Sequence, residues 1–370
     1  MSATMDTLQE KVELETASPV DSTYTLAVSN VTALTEGPSV NATVPLQSEL
    51  ALWLKADVGV TTNSSGLVSA WADQSGYGND AVQADASVNP VFQPTYMGNG
   101  MNGMPAVRFV NSAGISNYME VPYSPSMSMS PNFTVFEVIK FDNASKANTM
   151  LSRAVANAAA PIDLYQQGST VKCYRGNAEQ PGGSYGSAQS TNGLASNAPG
   201  IIDAWAKGTN MLFYLNGVIA AGGYVLDGVR DSQEPTRLGS RDDWANPLTG
   251  NIAEVMLFRG AVSDEERLAI NNYLGNKYGI TVSDIVFTQQ PKDTTKLEGQ
   301  TATFAVQVLA SSLNISYQWQ ENGTNMVGAT NATYTTPILT PADSGEVYRV
   351  LVSVPGASQY SDTATLNVMA

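Results

Sequence analysis

Carboxylates and indoles are the side chains best placed to do chemistry in this sequence, because it contains no histidine. That absence removes the Ser-His-Asp and Cys-His nucleophile systems, the H-E-x-x-H zinc site and the imidazole general base in one step. Cys173 stands alone, so an intrachain disulfide and a cysteine-rich zinc site are both out of reach. Two acidic clusters remain. In Trp71-x-Asp73-x-Ser75-Gly76-x-Gly78-Asn79-Asp80 the glycines admit positive φ and the short polar side chains bond their own backbone, which makes a structural turn. The oxygens of Asp73, Asn79 and Asp80 are also the hard donors that calcium takes, although their spacing lacks the regularity of an EF-hand loop. In Asp242-Asp243-Trp244 two carboxylates that accept sugar hydroxyls sit beside an indole that stacks on a pyranose, and a solvated turn is the alternative meaning. Glu137 and Glu254 each stand alone in an apolar run, where a strand carboxylate is expected to face solvent.

These residues must be positioned by strands. Apolar residues make up 43% of the 370-residue chain and charged ones only 14%, with abundant glycine, so an all-β fold of two or three domains is expected. Three regions differ in texture. Residues 1–47 are polar and acidic; Met5, Leu8 and Val12 share the spacing of one short amphipathic helix, and Thr23 to Val31 reads as a strand. The start has neither a basic n-region nor an apolar h-region, so no secretory signal is expected there. Residues 48–280 hold short apolar runs cut by Gly, Asn, Asp and Pro: Leu50 to Leu54, Ala106 to Val110, Phe133 to Phe141, Met211 to Leu215 and Ile252 to Phe258. That rhythm predicts a sandwich or jelly roll. One helix is expected from Ser263, with Glu266 completing a capping box, Ile270, Tyr273, Leu274 and Tyr278 on one face, and Gly279 as the stop; it should pack on a sandwich edge. After the short linker Thr281 to Asp284, residues 284–370 predict a second, smaller sandwich apposed to the first.

The middle region resembles the concanavalin A-like lectin/glucanase superfamily in its laminin-G-like branch. The resemblance rests on Leu52-Trp53-Leu54-Lys55-Ala56-Asp57, on Val68 to Ala81, on Pro105-Ala106-Val107-Arg108-Phe109, on Phe213-Tyr214-Leu215-Asn216-Gly217, on Leu238-Gly239-Ser240-Arg241, on Gly250 to Val255 and on Ser263 to Arg267. It implies a jelly-roll β-sandwich over 48–280. Hydrolytic members carry alternating carboxylates, E-x-D-x-x-E, on one strand face, as a glycosidase needs. No strand here has that pattern, so the resemblance points away from an enzyme. Residues 284–370 resemble a bacterial or phage immunoglobulin-like domain in Asp343-Ser344-Gly345-Glu346-Val347-Tyr348-Arg349-Val350, with Trp319 on the expected strand. The family's disulfide positions fall on Val306 and Val350, which would pack against Trp319 as hydrophobes, and Tyr348 holds the place of a tyrosine corner.

The expected protein is therefore non-catalytic: a structural and surface-display chain with a lectin-like domain, on a phage virion as capsid decoration or fibre, attaching to surface glycans or proteins. The alternatives are a glycan-binding adhesin module of a secreted bacterial protein and, last, a glycoside hydrolase. Calcium is the only cofactor the sequence nominates. The arm of residues 1–47 is expected to join a larger protein assembly. A net charge of −15 argues against nucleic acid as a partner, and no apolar run is long enough for membrane insertion.

Overall fold

The structure is a computed structural model describing residues 2–6, 11–15, 49–83, 92–112, 115–129, 132–153, 162–176, 185–224, 232–241, 246–355 and 357–370. It is all-β, with one α-helix among the described residues. The chain divides into two compact units, 1–39 and 40–370.

In the first unit, Ser2–Asp6 and Lys11–Glu15 form an antiparallel hairpin whose register sets Met5 opposite Val12 and Ala3 opposite Leu14. The short helix expected through Met5, Leu8 and Val12 is thus replaced by strands. Two apolar positions in each half alternate with polar ones, a period-2 pattern that competes with the helical spacing and pairs like with like across the hairpin. The strand expected at Thr23 to Val31 lies outside the described residues.

The second unit holds a large and a small β-sandwich. In the large one, an eight-stranded sheet runs Val218–Tyr224, Asn210–Leu215, Gly200–Lys207, Phe133–Phe141, Gly250–Phe258, Met104–Phe109, Thr95–Met101, and Leu50–Lys55 also pairs with Gly250–Phe258. A nine-stranded sheet faces it, running Tyr185–Gln189, Thr170–Gly176, Asp163–Gln167, Asn148–Ser152, Thr236–Leu238, Met119–Val121, Ala81–Val82, Val68–Trp71, Val60–Thr62. Alternation along each strand sends Val135, Ile139, Ile202, Val255, Leu151, Leu164, Cys173 and Leu238 into one shared core, with Trp71 fully buried in it.

The helix Asp264–Tyr278 begins as its sequence dictates. Ser263 accepts from the Glu266 amide while the Glu266 carboxylate accepts from Ser263, and Gly279 closes the helix at φ +60°. It packs on the outer face of the eight-stranded sheet rather than on an edge. Ile270, Leu274 and Tyr278 meet Phe136, Val138, Ile201, Met256 and Phe258, because these strands are apolar on both faces. A strand buried on both sides needs a second layer, and the helix supplies it.

The small sandwich has its own core around Phe304, Val306, Trp319, Tyr348 and Val350. Trp319 is fully buried and its indole N–H donates to the Asn331 carbonyl at 2.9 Å. The Tyr348 hydroxyl lies 2.7 Å from the carboxylates of both Glu321 and Glu346 rather than turning back to the chain, and burial pushes the Glu346 carboxyl up. The two sandwiches meet at the start of the helix. Ser312 donates its hydroxyl to Asp264, and the Arg267 guanidinium reaches the Ser311 carbonyl at 3.4 Å.

Candidate functional site

Glu137 and Glu254, the two carboxylates that could have formed a catalytic pair, sit on neighbouring strands, where Glu137 pairs with Val255 and Val138 with Glu254. Both are buried, contrary to the solvent-facing expectation, and they leave the sheet on opposite sides. Glu137 lies between Val135 and Ile139, both members of the inter-sheet core, so it points inward. Glu254 points outward, under the helix, and every lone pair it has is in use. Trp53 Nε1 donates to Oε1 at 2.6 Å and Tyr273 OH to Oε1 at 3.0 Å, while Lys277 Nζ donates to Oε2 at 2.7 Å and Tyr278 OH to Oε2 at 2.8 Å. Lys277 also holds Asp57 at 2.9 Å. Burial, then the Glu254 charge, pushes both phenols up. This knot rivets the helix to the sheet and leaves Glu254 no lone pair for a ligand.

Asp73, Asn79 and Asp80 come together as the turn pattern suggests, and they are fastened to protein. Asp73 Oδ1 accepts the amides of Trp53 (2.8 Å) and Ser75 (2.9 Å), and Oδ2 accepts the Ser75 hydroxyl (2.6 Å) and the Asn79 amide (3.0 Å). Asp80 Oδ1 accepts the Asp73 amide at 2.8 Å, and Asn79 ties the turn to Ala51, Ser124 and Ser126. With its lone pairs engaged in this way, Asp73 acts in the described geometry as a brace between the turn and the first strand. Among the described residues no group of three or more Cys, Asp or Glu is gathered as a metal-holding cluster.

Asp242, Asp243 and Trp244 lie outside the described residues, whereas Arg241, which precedes them, is described. Arg241 forms an ion pair with Asp163 at 3.2 Å. Asp163 belongs to a polar row crossing the outer face of the nine-stranded sheet, in which register aligns Tyr174, Asp163, Ser152, Arg237 and Glu120 on successive strands. Arg237 pairs with Glu120 at 3.0 Å and covers the Tyr118 ring at 4.8 Å. Tyr165 and Tyr174 stack 6.0 Å apart at 7°. Sequence reasoning missed this row because its members are scattered from Glu120 to Arg241, and only the strand order unites them. Asp163, Ser152 and Tyr165 are themselves buried, and Tyr174, Arg237 and Glu120 are half-buried, so only these last three leave an aromatic face, a guanidinium donor and a carboxylate acceptor within reach of a hydroxyl-rich ligand.

A cleft of about 450 Å³ beside the helix start is lined by Trp205, Phe258, Glu49, Lys207, Asp264 and Glu266. Most of its polar groups are committed internally. Glu266 accepts the Ser263 amide at 2.8 Å, Asp264 holds Arg267 at 2.6 Å, and Trp205 Nε1 donates to the Val262 carbonyl at 2.9 Å. Asp203, also buried here, sits 3.0 Å from Arg267 Nε; burial pushes its carboxyl up to about 7 against the pull of that guanidinium.

No family model matches the chain, and no curated protein matches it. Among solved structures, the binding domain of botulinum neurotoxin DC in complex with rat synaptotagmin II is similar at 12% identity and a TM-score of 0.46, over 85% of this chain and 73% of that one. Domain 4 of AbnA, a GH43 extracellular arabinanase from Geobacillus stearothermophilus in complex with arabinotriose, is similar at 15% identity and a TM-score of 0.45, over 61% and 98%. The binding domain of Paraclostridial Mosquitocidal Protein 1 gives 11% identity and a TM-score of 0.46, over 83% and 77%. Similarity at this level assigns no activity or ligand to this chain.

Proposed function

We propose that this is a non-catalytic binding and surface-display protein: a lectin-like sandwich of the concanavalin A-like type carrying an immunoglobulin-like sandwich, set on a phage virion and attaching to surface glycans or proteins. One observation carries the non-catalytic half of the reading. Glu137 and Glu254 are buried on opposite faces of one sheet, whereas retaining glycosidases need two carboxyls about 5 Å apart on one open face, and inverting ones somewhat further.

The attachment surface in this reading is the outer face of the nine-stranded sheet together with Asp242, Asp243 and Trp244, which follow Arg241 in the sequence. The other sheet's outer face is occupied by the helix, which supports the choice. Both sandwiches complete their cores with hydrophobes rather than disulfides, which suits display without an oxidising export route. The test is a glycan array probed with the full chain and with Trp244→Ala. Wild type is expected to retain a subset of glycans that the variant loses by tenfold or more, as for a truncated aromatic anchor. Equal retention by both would remove the loop from the site.

A further inference from the structure

Glu137 has no role in binding or in holding the elements together, and it is the least expected group in the large sandwich. It sits on a central strand of the eight-stranded sheet, fully buried, and neither carboxyl oxygen has a hydrogen-bond partner. Its strand neighbours on the same face, Val135 and Ile139, and its cross-strand partners, Ile202 and Val255, are all core residues. The titratable groups on the core side of the facing sheet are engaged elsewhere. Arg175 donates to the Met129 carbonyl at 3.1 Å and covers the Phe133 ring at 4.9 Å, Arg153 donates to Met127 and Thr236, and the Cys173 thiol is pushed up to about 12 by burial. An ionised carboxylate in such surroundings would lose its hydration and gain no compensating partner, whereas a neutral acid loses far less.

We propose that Glu137 enters the core as a neutral carboxylic acid and makes the large sandwich an alkali-sensitive fold, tight in acid and loosened when rising pH forces that acid to ionise. Burial alone pushes the carboxyl up to about 8, with no charged neighbour contributing. Between the ordinary carboxylate range and that value the folded chain holds one proton more than the unfolded chain. Stability from this residue is therefore complete below about pH 4.5 and falls as pH rises, levelling off only above the folded value.

The test is urea unfolding of the full chain across pH 4 to 9, set against Glu137→Gln. The ratio of the wild-type folding constant to that of the variant should fall about tenfold per pH unit from roughly 4.5 to 8, about three-thousandfold in all, and then flatten. At pH 7 the wild type should release about one proton more than the variant on unfolding. Where Glu137→Gln folds poorly, Glu137→Met takes its place, and the side-chain carboxyl carbon shift of wild type, followed by NMR, gives the same titration directly. Parallel stability curves, or a Glu137 carboxyl that ionises in the ordinary range with the sandwich folded, would overturn the proposal.

Discussion

At the residue scale, the large sandwich contains two acids treated in opposite ways. Glu254 has four donors, one of them a lysine, whereas neither oxygen of Glu137 has a partner. A buried ion pair contributes little net stability but is costly to break from one side. Lys277→Met is accordingly expected to destabilise the chain by about 3–5 kcal/mol in urea unfolding, because Glu254 and Asp57 keep their charges without the ammonium. Adding Glu254→Gln should recover part of that loss. A Lys277→Met variant as stable as wild type would mean that the helix is held by apolar contact alone. Neither acid's fate was legible in the sequence: Ala253-Glu254-Val255 reads as an amphipathic strand, and the groups that bury its carboxylate come from Trp53 and from a helix about five turns' worth of residues downstream. By contrast, the brace at Asp73 was legible, since all but one of its donors lie within the same turn.

At the element scale, local signals were reliable wherever the partners were local. Ser263, Glu266 and Gly279 set both ends of the helix, and Ser263→Ala should cost about 1 kcal/mol, seen as a lowered Tm. What the sequence could not supply was the face on which the helix lands. Its docking surface is built from strands that are hydrophobic on both sides, and Phe136 or Val138 give no sign of which layer will cover them. The N-terminal strands show the opposite failure, where a helical spacing and a period-2 alternation coexist in the sequence and the chain adopts the strands, with Met5 in register with Val12 and Ala3 with Leu14. In the small sandwich, Trp319→Ala should cost about 3–5 kcal/mol, enough to unfold a domain of that size. A sharp thermal transition of residues 284–370 retained in that variant would contradict the role given to this indole.

At the scale of the whole molecule, the two outer faces of the large sandwich differ: the helix packs on the eight-stranded sheet, and a polar row crosses the nine-stranded one. The helix, the Glu254 knot and the contact with the small sandwich through Asp264, Arg267, Ser311 and Ser312 all gather at the eight-stranded sheet. The polar row from Tyr174 to Glu120 crosses the opposite sheet, where Arg241 pairs with Asp163. For the arm, the proposal remains attachment to a larger assembly: a chain lacking residues 1–47 should fold normally and fail to join its particle, and equal assembly would place attachment in the sandwiches instead. The central claim is binding without cutting. The most direct measurement incubates the full chain with a broad panel of immobilised surface polysaccharides, scoring retained protein and released reducing ends in the same wells. Retention on some members, weakened by Trp244→Ala and accompanied by no release above the blank, is the predicted result; release of reducing ends that Glu137→Gln or Glu254→Gln abolishes would contradict it.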